Sequence, residues 1–352
     1  MDPIEAGLAI VGAALAFMVI AGLVPVAGRL DLWFARGGRG EACTGPSNAI
    51  ASLIRLASMR WGKGGRTSLL SAILSPVAFA AAFMTAAAVQ FSPEVSIAGV
   101  GFSVEGFSVG SGMIFSLAMI SVWAAASSLP GFSSHGSGAP IEALGAISNY
   151  LSYFLAMCLS VASVLLVSRA AGFADLVDAQ GHLPWEWNVV RQPVAFAIFT
   201  VCSCAALRPA FALSRSILDS RSHGAVAAAA SAIGSISVRV LYVALAAISA
   251  SIFLGGWQTP FVQASSVAEA MRGALPGWAI EPSLCAIGLF AMIAKTFAVM
   301  ALMAFARSAL PAMRQDRLMG FAWKALIPLS MANLVVTAYI AMKLWEGGTW
   351  RP

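Results

Sequence analysis

The chain has 352 residues, of which 59% are hydrophobic and only 10% are charged, whereas an ordinary soluble domain carries about 25% charged residues. With a mean hydropathy of +0.84, so little charged cover excludes a soluble enzyme, a nucleic-acid-binding domain and a disordered chain, and leaves a polytopic membrane protein. The net charge of +6, from 21 Lys+Arg against 15 Asp+Glu, is the balance that basic cytoplasmic loops produce.

A membrane-spanning helix needs about 20 apolar residues to cross the hydrocarbon layer. Eight stretches meet that length, near 6–27, 69–91, 111–130, 147–167, 192–213, 236–256, 280–303 and 324–343. They predict an all-α bundle of eight transmembrane helices forming a single membrane domain over 1–352. The first stretch has Asp2 and Glu5 where a signal peptide carries positive charge, so it reads as a mature helix. Between the first two spans, Ile50, Leu53, Ile54, Ala57 and Trp61 recur at the spacing of one helical face. This predicts a short amphipathic helix near 48–61, lying on the membrane surface or packed on the bundle.

Basic residues alternate between loops. Arg29, Arg36, Arg39, Arg55, Arg60, Lys63 and Arg66 crowd the first loop; Arg215 and Arg221 follow the fifth span, and Arg307, Arg314, Arg317 and Lys324 follow the seventh. The intervening loops carry few. By the positive-inside rule both termini are expected on the non-cytoplasmic side.

Cys43, Cys158, Cys202, Cys204 and Cys285 form no CxxC pair, and His135, His182 and His223 fall in loops without an evident partner, so no metal site is expected. No Gly-x-Gly-x-x-Gly opens a helix after a strand, so no dinucleotide site is expected either. Gly255-Gly256 reads as a helix end with a tight turn. None of the 15 acids sits near the middle of a predicted span. Lys295 is the one ionisable residue placed well inside one; it is expected either to pair with a polar group or neighbouring subunit, or to snorkel to the interface.

The C-terminal third carries the block Phe253-Leu254-Gly255-Gly256-Trp257, then Lys295-Thr296, Arg307, Ala309-Leu310-Pro311, Arg314, Asp316 and Leu318-Met319. Trp323-Lys324, Leu326, Pro328-Leu329, Asn333-Leu334 and Val336-Thr337-Ala338 complete the run, and Gly45-Pro46, Ser152-Tyr153 and Gln192-Pro193 extend it upstream. This pattern resembles the H-type membrane subunit of NADH-quinone oxidoreductase (respiratory complex I), which lies at the base of that enzyme's membrane arm. The resemblance covers nearly all of the chain and is most specific over 250–338.

The resemblance implies a multi-pass subunit of a bacterial-type inner membrane that shapes a quinone chamber. Quinone is the implied substrate, lined by Arg208, Phe211, Asp219, Gly45, Pro46 and the amphipathic helix. Arg307, Arg314, Asp316, Arg317 and Lys324 are the implied docking surface. No redox cofactor is expected in this chain; FMN and iron–sulfur clusters belong to partner subunits. The expected partners are a peripheral redox arm, antiporter-like membrane subunits and membrane lipids.

The departures from the family are specific. Where the family has acids, this chain has Phe154 in helix 4, Ala205 and Ala212 in helix 5, and Arg215 and Ile217 beyond, while Gly145 replaces an arginine. Asp219 retains an acid. Because intramembrane proton relays use groups that gain and lose protons, the subunit's own half of the proton path is expected to be degenerate. A non-catalytic paralogous scaffold of a complex I-related or hydrogenase-like assembly is the alternative. A stand-alone transporter fits less well, since no paired halves with broken helices are seen.

Overall fold

A computed structural model describes residues 3–35, 69–97, 100–107, 109–133, 139–219, 225–262, 264–272, 276–309 and 315–346. The long helices are α1 (Pro3–Ala35), α2 (Leu69–Ala87), α3 (Gly112–Ser128), α4 (Ala139–Ser168), α7 (Pro193–Asp219), α8 (Ala225–Phe253), α10 (Gly277–Ala309) and α12 (Ile327–Glu346). Short helices α5 (Phe173–Asp178), α6 (Asn188–Arg191), α9 (Ala264–Arg272) and α11 (Gln315–Phe321) join them. Six helical stretches among the described residues are long and apolar enough to cross a membrane; α2 and α7 carry shorter apolar lengths, Ala72–Ala87 and Pro193–Leu207. Helix α7 itself continues past Leu207 to Asp219.

The bundle is organised around α8, which packs against α1, α2, α7 and α10. Its apolar window is 94% buried, against 17% for the window that includes α12, which makes α8 the core and α12 the periphery. Composition explains this position. Ala244, Ala246, Ala247, Ser249, Ala250 and Ser251 are all buried, and small side chains let neighbouring backbones approach closely where lipid supplies no hydrophobic drive.

One end of the bundle carries an antiparallel hairpin of β1 (Val95–Ile97) and β2 (Val100–Phe102), in the register Val95↔Phe102, Ser96↔Gly101 and Ile97↔Val100. Sequence reading missed it, because three-residue strands are too short to show an alternating pattern. Helix α1 lies so close to this hairpin at Gly12 that any Cβ there would collide with the Ser103 carbonyl. Helix α8 ends at Phe253, three residues before the predicted boundary. Gly255 and Gly256 take φ of 70° and 47°, a left-handed conformation that glycine adopts without a Cβ penalty. The expected tight turn is therefore present.

The last span is one continuous helical run. It contains a wide turn at Ala322–Leu326, where the Ile327 N–H reaches back to the Ala322 carbonyl. Pro328 is the cause: it offers no N–H to the Lys324 carbonyl, and its ring crowds that turn. The peripheral run is held to α4 by polar bonds. Trp323 Nε1 donates to Ser152 Oγ (3.0 Å), Tyr153 Oη to the Leu318 carbonyl (2.9 Å) and Asn333 Nδ2 to Ser163 Oγ (3.1 Å).

Candidate functional site

The last four carbonyls of a helix have no partner within it. At the hairpin end of α8, side chains from the α5–α6 segment supply them. Gln180 Nε2 donates to the Ser251 carbonyl (2.9 Å), and Asn188 Nδ2 to the Ile252 carbonyl (2.8 Å). Gln180 Oε1 in turn accepts the Gly255 N–H (3.0 Å) and the Asn188 N–H (3.4 Å). Gln258 Nε2 donates to the Val177 carbonyl (2.8 Å). A single fully buried glutamine thus ties the loop before α7 to the end of the central helix.

Lys295 belongs to this end. Its Nζ donates to the Gln258 carbonyl at 2.6 Å and lies 4.2 Å from the centre of the Trp187 ring. The side chain leans toward the N-terminus of α10, as helical side chains do, and so reaches the turn that follows α8. The partners described for the ammonium are thus a backbone carbonyl and an aromatic ring of its own chain.

At the opposite end α7, α8 and α10 converge. Cys204 Sγ donates to the Met303 carbonyl (3.4 Å), joining α7 to α10, and Tyr242 Oη donates to the Met300 carbonyl, joining α8 to α10. The Arg307 guanidinium stacks over the Tyr242 ring at 5.0 Å. The sequence places Arg307 on the docking surface with Arg317 and Lys324. It is half-buried against Tyr242, whereas those two are exposed.

Arg208, Phe211 and Asp219 all stand on the last turns of α7. Helical register puts these three positions, with 215, on one stripe; their side chains lie outside the described residues. The turn before Arg208 is anchored, because the Ala205 carbonyl accepts Asn149 Nδ2 (3.5 Å) and Ala205 and Leu207 are fully buried. Gly45, Pro46, the predicted amphipathic helix near 48–61 and Arg314 lie outside the described residues. Asp316 falls in α11, with its side chain outside them.

Sequence reading overlooked one residue here. Arg239 stands in α8, about 21 Å of helix from its end at Phe253. Its Nη1 is buried, and its Nε lies 3.9 Å from the point where a Cβ on Gly28 of α1 would stand. The span drawn at 236–256 put Arg239 at its edge. Ending that span at the Gly255-Gly256 turn would have moved Arg239 inside it.

Two of the positions where the family resemblance implies acids are filled by packed apolar groups. Phe154 stacks on Tyr150 at 5.4 Å with 21° between the rings, and Ala205 is buried. Among the described residues no group of three or more His, Cys, Asp or Glu side chains could hold a metal ion.

Residues 61–338 match the family model described as NADH dehydrogenase. The chain is 30% identical over 276 residues to the H subunit of the NADH-quinone oxidoreductase of Anoxybacillus flavithermus, an alignment covering 76% of this chain and 72% of that protein. The protein of the same name from Geobacillus thermodenitrificans is 29% identical over 274 residues, covering 76% and 72%. That from Syntrophotalea carbinolica is 28% identical over 237 residues, covering 66% and 62%.

Proposed function

This chain belongs to the family of H subunits of NADH-quinone oxidoreductase, and on that premise we propose that it lines the quinone chamber and docks the redox arm of a complex I-like membrane enzyme. In this reading eight helices cross the inner membrane, both termini face away from the cytoplasm, and electrons arrive from partner subunits carrying FMN and iron–sulfur clusters. This chain holds no redox cofactor. Antiporter-like subunits adjoin it in the membrane.

The observation that carries the reading is the convergence of α7, α8 and α10. Bonds through Cys204 and Tyr242 fix three helices against one another, and the basic positions 208, 239 and 307 all fall in this part of the bundle. Arg208 and Phe211, with Asp219 three turns along the same stripe, form the chamber wall. Gly45, Pro46 and the amphipathic segment complete its entrance. Arginine suits the role because its planar fork donates to carbonyl or anionic oxygens while its stem packs on apolar surface. Arg317 and Lys324, exposed on the final helical run, with Arg314 and Asp316 form the docking surface; Arg307 supports it from within.

The subunit's own proton path is degenerate. The Phe154–Tyr150 stack and the buried Ala205 support this, since neither phenylalanine nor alanine can titrate. The same two observations favour the second reading, a scaffold subunit in an assembly without quinone turnover.

The deciding experiment purifies the assembly from gently solubilised membranes through a tag on this chain and assays NADH-to-quinone electron transfer. Inhibitor-sensitive turnover that falls in Arg208→Ala, with the assembly intact, supports the chamber. Turnover with unchanged quinone dependence in that variant removes Arg208 from it. A stable membrane assembly without turnover selects the scaffold.

A further inference from the structure

Two polar atoms on consecutive residues of α4, Asn149 Oδ1 and Tyr150 Oη, are buried without a hydrogen-bond partner among the described residues. The residues are only 1% and 9% exposed, and both stand inside the apolar span Pro140–Ser168. A bare amide oxygen or phenol is costly there, because the apolar surroundings offer nothing in return for lost water. Folded proteins leave few buried polar side chains unsatisfied, and an internal water is a common partner for those that the chain itself does not serve.

The neighbours of the two atoms say what is missing. Asn149 Nδ2 donates to the Ala205 carbonyl of α7 at 3.5 Å, which occupies one side of the amide and leaves Oδ1 on the other. Tyr150 stacks on Phe154, one turn along α4, with 5.4 Å between ring centres. Positions 154 and 205 are two of those where the family resemblance implies acids. Alanine lacks the carboxymethyl group of a glutamate, so the α4–α7 seam at Ala205 is short of volume and of a hydrogen-bonding group together. The chemistry of the two atoms limits what can take that place. Asn149 Oδ1 only accepts, whereas Tyr150 Oη donates or accepts. An anion is repelled by Oδ1, and two neutral oxygens are too few for a hard cation, which takes about six. Water donates and accepts, and so suits both.

We propose that Asn149 and Tyr150 line a buried water site in the α4–α7 seam, one helical turn from Arg208, where water stands in for the carboxyl groups implied in relatives. One water donates to Asn149 Oδ1 and bonds to Tyr150 Oη, so the two side chains act through a shared partner. The inference stands apart from the quinone reading, since it holds equally for a scaffold subunit.

The test follows the unfolding midpoint of the tagged assembly for Tyr150→Phe, Asn149→Leu and the double variant. A phenol that holds water loses a bond with its hydroxyl, so Tyr150→Phe should lower the midpoint by about 2 °C. A dry phenol gains from the same change, and an unchanged or raised midpoint overturns the proposal. The double variant should cost less than the two single changes together, because both break contact with one water; strictly additive losses overturn the shared site. A high-resolution electron cryo-microscopy map of the parent should show ordered density within hydrogen-bond reach of both atoms, and a map without it overturns the site. Ala205→Glu supplies a carboxyl where the water is placed, and should keep the assembly while displacing that density. Ala247→Glu, on the fully buried face of α8, should abolish assembly; equal loss in the two glutamate variants speaks against a polar pocket at Ala205 and overturns the proposal.

Discussion

The two ends of the central helix α8 solve different problems. At the hairpin end, the carbonyls that the helix leaves open are taken by Gln180 and Asn188, and the following turn is held by Gln258 and Lys295. At the opposite end the bonds described include ones inside the bundle, Cys204 on Met303, Tyr242 on Met300 and Arg307 over Tyr242, and ones that hold the final run to α4, Tyr153 on Leu318 and Trp323 on Ser152. Outside them stand the exposed cations Arg317 and Lys324. The hairpin end is closed by the chain's own polar groups, whereas the other end keeps positive charge at its surface, where partners are expected. Substitutions at the first should therefore cost assembly and stability, and substitutions at the second should cost activity.

The largest effect is expected for Gly255→Val. A β-branched residue at φ 70° is strained, and its Cβ would stand 2.8 Å from Trp187 Nε1. The combined cost is about 3 kcal/mol or more, seen as loss of assembled protein from membranes. A normal yield and an unchanged unfolding midpoint would show that the turn does not close this end. Gln180→Leu comes next. It leaves the Gly255 N–H and the Ser251 carbonyl buried without their partner, which costs about 2–4 kcal/mol, read from the midpoint of the solubilised chain.

Arg208→Ala should do the reverse. Quinone reduction should fall about tenfold, the scale of a charge-assisted contact, while the midpoint stays put; a lowered midpoint with normal turnover would merge the two ends into one structural role. Arg307→Met removes the stacking over Tyr242 and should lower stability by about 0.5–2 kcal/mol. It separates internal support from docking, because a docking residue would weaken partner retention without moving the midpoint.

The smallest effect concerns Asp178, at the hairpin end and outside the spans. Burial, and then the neighbouring Asp175 carboxylate, push its carboxyl above the usual aspartate range. A raised folded-state value means that ionising Asp178 disfavours the fold once the pH exceeds the value in the unfolded chain. Asp178→Asn should therefore be slightly more stable than the parent at neutral pH. The gap should close as the pH falls below the ordinary carboxylate value, and a gap that persists at low pH would point to packing instead.

The apolar helices, the turn at Gly255-Gly256 and the basic residues of one end were legible in the sequence, because run length, glycine pairs and charge are local properties. Arg239 was not, because the predicted span ran three residues past the end of the helix and so moved a half-buried arginine, whose Nη1 is buried, to its edge. The contact of Arg307 with Tyr242 was not legible for a related reason. A basic residue after an apolar run reads as a surface charge, and only the packing of α10 on α8 turns it inward over Tyr242.

By itself the sequence determined that this protein lives in a membrane. A chain with 10% charged residues cannot cover a soluble surface, and runs of about 20 apolar residues match the bilayer. The tertiary structure decided which helix sits at the centre, which carbonyls Gln180 and Asn188 satisfy, and where the Lys295 ammonium ends up. The physical reason is range. Hydropathy is a sum over neighbouring residues, whereas a bond from Gln180 to Ser251 or from Lys295 to Gln258 joins groups that only the folded bundle brings within reach.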